Sequence, residues 1–271
     1  MEEVRPDMKL PNYQRVIYHR TPLIEVVGQV RFPTILKINN QEPFEFQEKV
    51  RFDYPIFQQS QSLNLPPEIA ALVPQIGSLV PQHTNYNFLS ENSKWQLSLN
   101  RDTLSLATFE YRQYEEFKEK FTKAVNIFEE IYNPSFYIRL GLRYRDLILR
   151  SKLKIDDKDK PWSELISPRI ASELHSSEWS DSIRTLVKNL EIEIEGGRVN
   201  FNHGLVIAQD PSQANFQEPG YLFDADFFVE PKINKEDIWN VFDNFNRTGG
   251  KLFRWSITEQ LHAAMEPQPI E

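Results

Sequence analysis

The chain has 271 residues, which is enough for one large or two small domains with a sizeable core. Its 31 Lys and Arg residues against 39 Asp and Glu residues leave a formal charge of −8, which argues against a protein whose main task is gripping nucleic acid by its phosphates. The lack of any cysteine excludes disulfide scaffolds, thiolate nucleophiles and Cys-ligated metal sites.

The N-terminus offers no targeting signal. Residues 1–6 carry charges without an apolar core behind them, and no apolar run approaches the roughly 18 residues that a membrane span requires. We therefore expect a soluble, cytoplasmic protein.

The first half of the chain begins with a well-bounded strand. Apolar and polar residues alternate over 23–32, and Pro22 and Pro33 fit the strand ends because proline cannot donate to a β-ladder. A short helix is predicted over 46–52, and one helical turn over 68–73 within an irregular, proline-rich connection. Three further strands, separated by turns, are predicted at 86–90, 94–100 and 103–111.

An amphipathic helix follows these strands. It is predicted over 115–132, where apolar side chains recur at three- and four-residue spacing between Glu, Lys and Asn residues. A return to period two then predicts a long strand over 136–149 with one basic face. The segment 151–182 is polar and discontinuous, and we interpret it as the connection between two halves.

The second half repeats this succession of elements. Strands are predicted at 185–195, 198–208 and 221–229, with a two-residue glycine turn between the first two. A helix capped by Asn234 and closed by the glycine pair 249–250 follows. The residues 256–259 have the spacing of a capping box, which predicts the start of a last helix.

Together these elements predict an α+β protein of two similar units, each a mostly antiparallel sheet with an amphipathic helix packed on one face. The units are expected at 1–150 and 183–271, joined by the polar connection at 151–182, and one continuous domain stays an alternative. The long period indicates a degenerate internal duplication and not a solenoid, whose repeats span about 20 to 50 residues.

Three short blocks carry a family resemblance: PLIEV at 22–26, GLRY at 141–144 and LFDAD at 222–226. In these P-L-x-E-V, G-L-R-Y and L-x-D-x-D blocks, and in their order, the chain resembles a sporadically distributed prokaryotic family of uncharacterised proteins of similar length. The resemblance spans nearly the whole chain. It implies an accessory or mobile gene and brings no activity with it.

Local catalytic signatures are missing from the sequence, which contains no G-x-G-x-x-G, G-x-x-x-x-G-K-[ST], G-x-S-x-G or H-E-x-x-H pattern. The histidines stand too far apart to place two metal ligands on one element, so each is expected to be a solvated or capped histidine. They are His19, His83, His175, His203 and His262. We expect no cofactor and no metal site.

An acidic pair, Asp224 and Asp226, is a catalytic candidate. Residues i and i+2 of a strand share a face within about 7 Å, close enough to hold a divalent cation or to separate the two pKa values. Glu25 of the first strand is a third candidate for the same site. In the structural alternative, the two aspartates lie opposite Arg143 and Arg145 as a cross-strand ion ladder.

A cationic stripe is the candidate anion-binding site. Arg139, Arg143 and Arg145 share one face of the strand predicted over 136–149, and the alternation places Tyr137 beside them. Guanidinium groups at this spacing can take phosphate or carboxylate bidentately. Nucleic-acid binders interleave aromatic and basic residues in this way, but the acidic balance of the chain opposes that interpretation.

These observations favour a non-catalytic binding or regulatory protein with a protein partner, because no catalytic pattern is present. One alternative is a metal-assisted hydrolase or phosphoesterase that uses the Arg/Asp face of the sheet. A second is a nucleotide or nucleic-acid binder that uses the arginine stripe. Nucleic acid is the less expected partner, no membrane partner is expected, and self-association stays open.

Overall fold

The structure is a computed structural model, and it describes residues 8–62, 83–155, 160–210, 213–230 and 232–270. The helical turn predicted over 68–73 lies outside these residues. In chain order the strands are β1 (Val16–Tyr18), β2 (Leu23–Arg31), β3 (Ile56–Ser62), β4 (His83–Leu89), β5 (Trp95–Leu99), β6 (Thr103–Thr108), β7 (Arg139–Leu149), β8 (Val187–Ile194), β9 (Gly197–Asp210), β10 (Gln213–Val229) and β11 (Pro267–Pro269).

The α-helices are α1 (Leu36–Asn40), α2 (Phe44–Val50), α3 (Tyr114–Tyr132), α4 (Ile238–Ser256) and α5 (Glu259–Ala264). Short 3₁₀ turns lie at Trp162–Glu164, Ser172–His175, Ser180–Ser182 and Lys235–Asp237. Among these described helices, none combines the length and the apolar character needed to cross a membrane.

A nine-stranded sheet organises the fold. Its order is β3-β4-β5-β6-β2-β7-β10-β9-β8, and every neighbouring pair is antiparallel. Strands β1 and β11 pair in a separate two-stranded sheet. The predicted α+β class with mostly antiparallel strands is confirmed. Strand β7 pairs with β2 on one side and with β10 on the other, so strands from both predicted halves lie in a single sheet.

The long helices α3 and α4 pack on one face of this sheet. Helix α3 lies so close to β2 that a Cβ built on Gly28 would come within 2.8 Å of the Phe121 ring. Phe121 in turn contacts Phe242 of α4 edge-to-face, with 5.6 Å between ring centroids. The apolar residues of both helices are buried against the sheet, and this burial stabilises the packing of the helices on it.

The opposite face of the sheet is polar. Residues that pair directly across antiparallel strands share a face, and the register carries one row of such positions from β5 to β9. The polar residues of this row and its neighbours form what we call the polar face. Among their side chains only that of Asp224 is buried: Gln96, Ser98, Ser105, Gln29, Arg139, Arg143, Arg145, Asp224, Asp226, Asn200 and Asn202.

Two predicted helix boundaries were wrong. Helix α4 continues through Gly249 and Gly250, where it was expected to end, because packing on β7 and β10 outweighs the roughly 1 kcal/mol helix penalty of each glycine. The cap of the last helix is Thr258, whose hydroxyl accepts from the Leu261 N–H at 3.2 Å. Ser256 belongs to α4 instead and donates its hydroxyl to the Leu252 carbonyl.

Candidate functional site

The register of three central strands brings the charged candidates together. In the β7–β10 pair, Asp224 lies opposite Arg145 and Asp226 lies opposite Arg143. In the β2–β7 pair, Glu25 also lies opposite Arg145. The acidic pair, the third carboxylate and the arginine stripe predicted from the sequence are therefore parts of one cluster on the polar face.

Each carboxylate of this cluster is held by a guanidinium group. Arg143 donates two hydrogen bonds to Asp224, at 2.6 and 2.5 Å. Arg139 donates to Asp226 at 2.8 Å, and Arg145 donates to Glu25 at 2.9 Å. We call these six residues the ion ladder: Glu25, Arg139, Arg143, Arg145, Asp224 and Asp226.

Burial and charge act against each other within the ion ladder. Burial raises the pKa of the Asp226 carboxyl, and the charges of Arg139 and Arg143 counter that rise. The hydrogen bonds that Arg143 donates to Asp224 raise the pKa of the Arg143 guanidinium, which secures its charge. Arg139 also donates to Gln29 at 2.9 Å and lies over the Phe228 ring. The ladder thus holds its arginines in fixed positions.

The ion ladder does not have the donor arrangement of a metal site. Among the described residues, no group of three or more His, Cys, Asp or Glu side chains could hold a metal ion. The cluster presents a fixed charge pattern to solvent. Within the Arg143–Asp224 pair the guanidinium is the accessible charge, because 45% of the Arg143 side chain is exposed and only 12% of the Asp224 side chain.

Tyr137 does not share the face of the arginines, although the alternation predicted that it would. It precedes β7 in an isolated bridge with Ile233, is fully buried, and donates its hydroxyl to Glu129 of α3 at 2.7 Å. The alternation of buried and exposed side chains therefore begins only at Arg139, the first residue of β7. The arginine stripe therefore lacks Tyr137 as a partner for base stacking, and the Phe228 ring beside Arg139 is buried, at 6% exposure.

The prediction of a solvated or capped histidine was wrong for His203. This side chain is buried among the aromatic rings of β9 and β10, and its Nδ1 lies 2.7 Å from the Tyr221 hydroxyl. Its Nε2 is buried without a hydrogen-bond partner among the described residues. Burial lowers the pKa of His203 to about 4, so the folded protein keeps the ring neutral.

A buried acid, Asp146, lies outside every motif recognised in the sequence. It lies on the helix side of β7, only 9% exposed, and no hydrogen bond or ion pair reaches its carboxyl from the described part of the chain. Burial raises its pKa to about 7. Its burial could have been predicted from the alternation of the strand, because Asp146 continues the apolar row of Leu140 and Leu142.

A second surface feature lies on the helix side of the sheet. A cleft of about 840 Å³ opens between α3, the segment after α2 and the β4–β5 turn. We call it the acidic cleft, and its lining consists of Val50, Phe52, Asp53, Tyr54, Pro55, Ser90, Glu91, Asn92, Trp95, Glu116, Glu119, Lys120, Lys123, Ala124 and Ile127. The ion ladder and this cleft share no residue, so they are separate surfaces.

The sequence predicts the helix, turn and strand to which residues of the acidic cleft belong, but not that these residues lie close together. The period of the predicted helix puts Glu116, Glu119 and Lys120 on its polar side, and Glu91 belongs to a predicted turn. Trp95 belongs to the buried row of a predicted strand. Only the packing of α3 across β5 makes these residues neighbours, and no local pattern encodes that contact.

Comparison with known proteins adds no family assignment, since the chain matches no protein-family model and no curated protein.

Proposed function

We propose that this chain is a non-catalytic binding or regulatory protein that acts through a protein partner. The observation that carries the proposal is the mutual pairing of all six residues of the ion ladder. Charges held by their neighbours form a rigid pattern of the kind that selects a partner by electrostatic complementarity. Within the ladder itself, neither a carboxylate nor a guanidinium is left without an opposite charge.

The hydrolase alternative is less well supported. A metal-assisted hydrolase needs carboxylates that are free to coordinate, whereas Asp224 and Asp226 each accept from an arginine at 2.8 Å or less. A nucleic-acid binder needs arginines that are free for phosphate, and the same contacts engage Arg139, Arg143 and Arg145. Both alternatives would have to break ion pairs before they bound anything.

We propose that the units 1–150 and 183–271, joined by 151–182, are similar in origin, since each contributes antiparallel strands and one helix of 19 residues to the same fold. We also propose that the protein is cytoplasmic. On the strength of the resemblance described above, we propose that its gene is an accessory or mobile gene of a prokaryote. Self-association is one form that the protein partner can take.

Affinity capture from native lysate tests the protein-partner proposal. We expect the tagged chain to recover one protein in stoichiometric amount, and we expect a charge added on the polar face, Asn202→Arg, to reduce that recovery. A matched control is Gln260→Arg, an exposed position on α5 that belongs to neither the polar face nor a cleft. Repeated recovery of no stoichiometric protein would overturn the proposal.

A turnover assay tests the hydrolase alternative. Purified chain is incubated with p-nitrophenyl phosphate and Mg²⁺, Mn²⁺ or Zn²⁺, and we expect no release of p-nitrophenolate above the protein-free rate. Metal-dependent release that Asp224→Asn abolishes would replace the binding proposal with the hydrolase.

A further inference from the structure

We propose that the acidic cleft binds a lysine- or arginine-bearing segment of the protein partner. This inference rests on the proposed function, because it names the chemistry by which the partner is held. It concerns a surface distinct from the ion ladder and can fail independently of it.

The charges of the acidic cleft favour a cation. Its lining contains four carboxylates and two ammonium groups. The ammonium of Lys123 is already engaged by Asp53, with 2.6 Å between Nζ and Oδ2. Glu91, Glu116 and Glu119 enter no hydrogen bond or ion pair with the described residues, so three carboxylates face the cleft without a counter-ion. An incoming guanidinium or ammonium group would supply that charge.

An aromatic ring of the acidic cleft already holds a cation. The ammonium of Lys120 lies 5.2 Å from the centroid of the Trp95 ring, within the range of a cation–π contact. Phe52 lines the cleft with 86% of its surface exposed, and the guanidinium of Arg51 lies 5.2 Å from the centroid of its ring, so this ring also holds a cation. Rings beside carboxylates suit lysine or arginine, because the ring contacts the aliphatic stem and the carboxylate pairs with the charged head. An anion or a purely apolar ligand would leave the carboxylates without a partner.

Tyr54 gives an independent indication of a ligand. This residue is 7% exposed and lines the cleft, and its hydroxyl bonds to no described residue. Among the described residues, four have a fully buried polar side-chain atom without a partner, and Tyr54 is not one of them. Its unpartnered hydroxyl is therefore in contact with solvent. Because Tyr54 lines the cleft, we infer that its hydroxyl opens towards it. Burial raises the pKa of this hydroxyl, which therefore stays protonated and can donate to a ligand carbonyl.

The size of the cleft fits a segment of chain and not one side chain. A volume of about 840 Å³ lies in the range of drug-sized ligand sites, of roughly 300 to 1,000 Å³. An extended peptide of a few residues fills such a volume. Its cationic side chain would meet the three glutamates while its backbone reaches Tyr54.

Titration with short peptides tests the inference on the full chain. The probes are tetralysine and tetraglutamate, each N-acetylated and C-amidated, and binding is measured by calorimetry at two salt concentrations. Nuclear magnetic resonance locates the peptide through the Trp95 indole resonance, assigned with Trp95→Phe. We expect saturable binding of tetralysine that shifts this resonance and weakens at higher salt.

Matched variants separate the cleft from general charge attraction. We expect Glu116→Gln combined with Glu119→Gln to weaken tetralysine about tenfold. We expect Tyr54→Phe to weaken it about threefold with the salt dependence unchanged, since the hydroxyl is neutral. The control, Glu48→Gln combined with Glu130→Gln, removes the same charge outside the cleft and should change the affinity less than about twofold.

Three results would overturn the inference: equal weakening by the control pair, preferred binding of tetraglutamate, or no saturable binding of tetralysine. A partner captured from lysate that binds the Glu116→Gln, Glu119→Gln variant unchanged would also remove the cleft from recognition while leaving the protein-partner proposal intact. Tetralysine binding at Trp95 without any captured partner would support a cation site in the cleft and count against the proposed function.

Discussion

Asp224 accepts two hydrogen bonds from Arg143, although the residue directly opposite it in the β7–β10 register is Arg145. The pairing is therefore diagonal. Arg145 remains close, with its Nε 3.7 Å from the Asp224 carboxylate, while donating to Glu25 on the other side. A single aspartate thus connects two arginines of β7, and through Arg145 the ion ladder links β10 to β2.

We predict that Asp224 matters more for stability than either arginine alone. Asp224→Asn removes the carboxylate shared by both guanidinium groups and should cost about 1 to 3 kcal/mol of unfolding free energy. Arg143→Gln should cost less, about 1 kcal/mol, because Arg145 still faces the carboxylate and the Arg143 side chain is nearly half exposed. Urea denaturation measures both changes.

A double-mutant cycle provides the control for this prediction. The variant that combines Asp224→Asn with Arg143→Gln should lose less unfolding free energy than the two single losses added together, whereas Lys49→Gln, which breaks an exposed pair with Glu130, should leave stability within error. Equal costs for Arg143→Gln and Lys49→Gln would show that the diagonal pair contributes nothing.

The period of the strands made the faces of the ion ladder predictable, but its contacts depend on register. Alternation alone put Arg139, Arg143 and Arg145 on one side and Asp224 with Asp226 on one side of another strand. That these two strands are neighbours follows from how the chain crosses the sheet, which local sequence does not encode. The same applies to the acidic cleft, which exists only because α3 crosses β5.

Asp146 should make the protein less stable as the pH rises. Its ordinary pKa is 3.8 and burial raises this to about 7, so the folded chain keeps a proton that the unfolded chain has lost between these values. Stability then falls with pH across this window, by up to about 1.4 kcal/mol per pH unit. Asp146→Asn removes the effect.

Chemical denaturation at several pH values measures this. The Asp146→Asn variant should match the parent near pH 4 and exceed its unfolding free energy by about 4 kcal/mol at pH 8. A difference that stays constant between pH 4 and pH 8 would contradict a buried, neutral Asp146.

His203 should act in the opposite direction. Its pKa falls from 6.5 to about 4 in the folded protein, so below pH 6.5 the unfolded chain takes up a proton that the folded chain refuses. This contribution to stability is complete above pH 6.5 and is lost as the pH falls towards 4. Tyr221, Lys188 and Glu173 are the groups around the ring.

The contributions of Asp146 and His203 have opposite slopes between pH 4 and pH 6.5, so in the parent they should nearly cancel each other. We predict that His203→Phe uncovers a stability that falls with pH in this window, while Asp146→Asn uncovers one that rises. Slopes of the same sign in both variants would contradict the assignment of these two groups.

Gly204 of β9 should tolerate no side chain, in contrast to Gly250 of α4. A Cβ built on Gly204 would lie 1.9 Å from the Leu186 carbonyl oxygen, a backbone atom that cannot move without disturbing the β8–β9 pair. We expect Gly204→Ala to cost at least about 3 kcal/mol or to prevent folding.

The Gly250 substitution is the matched control, because a Cβ there meets nothing within 4 Å. In a helix interior, Gly250→Ala should stabilise the protein by about 0.5 to 1 kcal/mol through helix propensity. Thermal unfolding of both variants compares them directly. If Gly204→Ala unfolds at the parent's temperature, the edge strand β8 is free to move away from β9, and the close approach of Leu186 to Gly204 plays no part in holding this edge of the sheet.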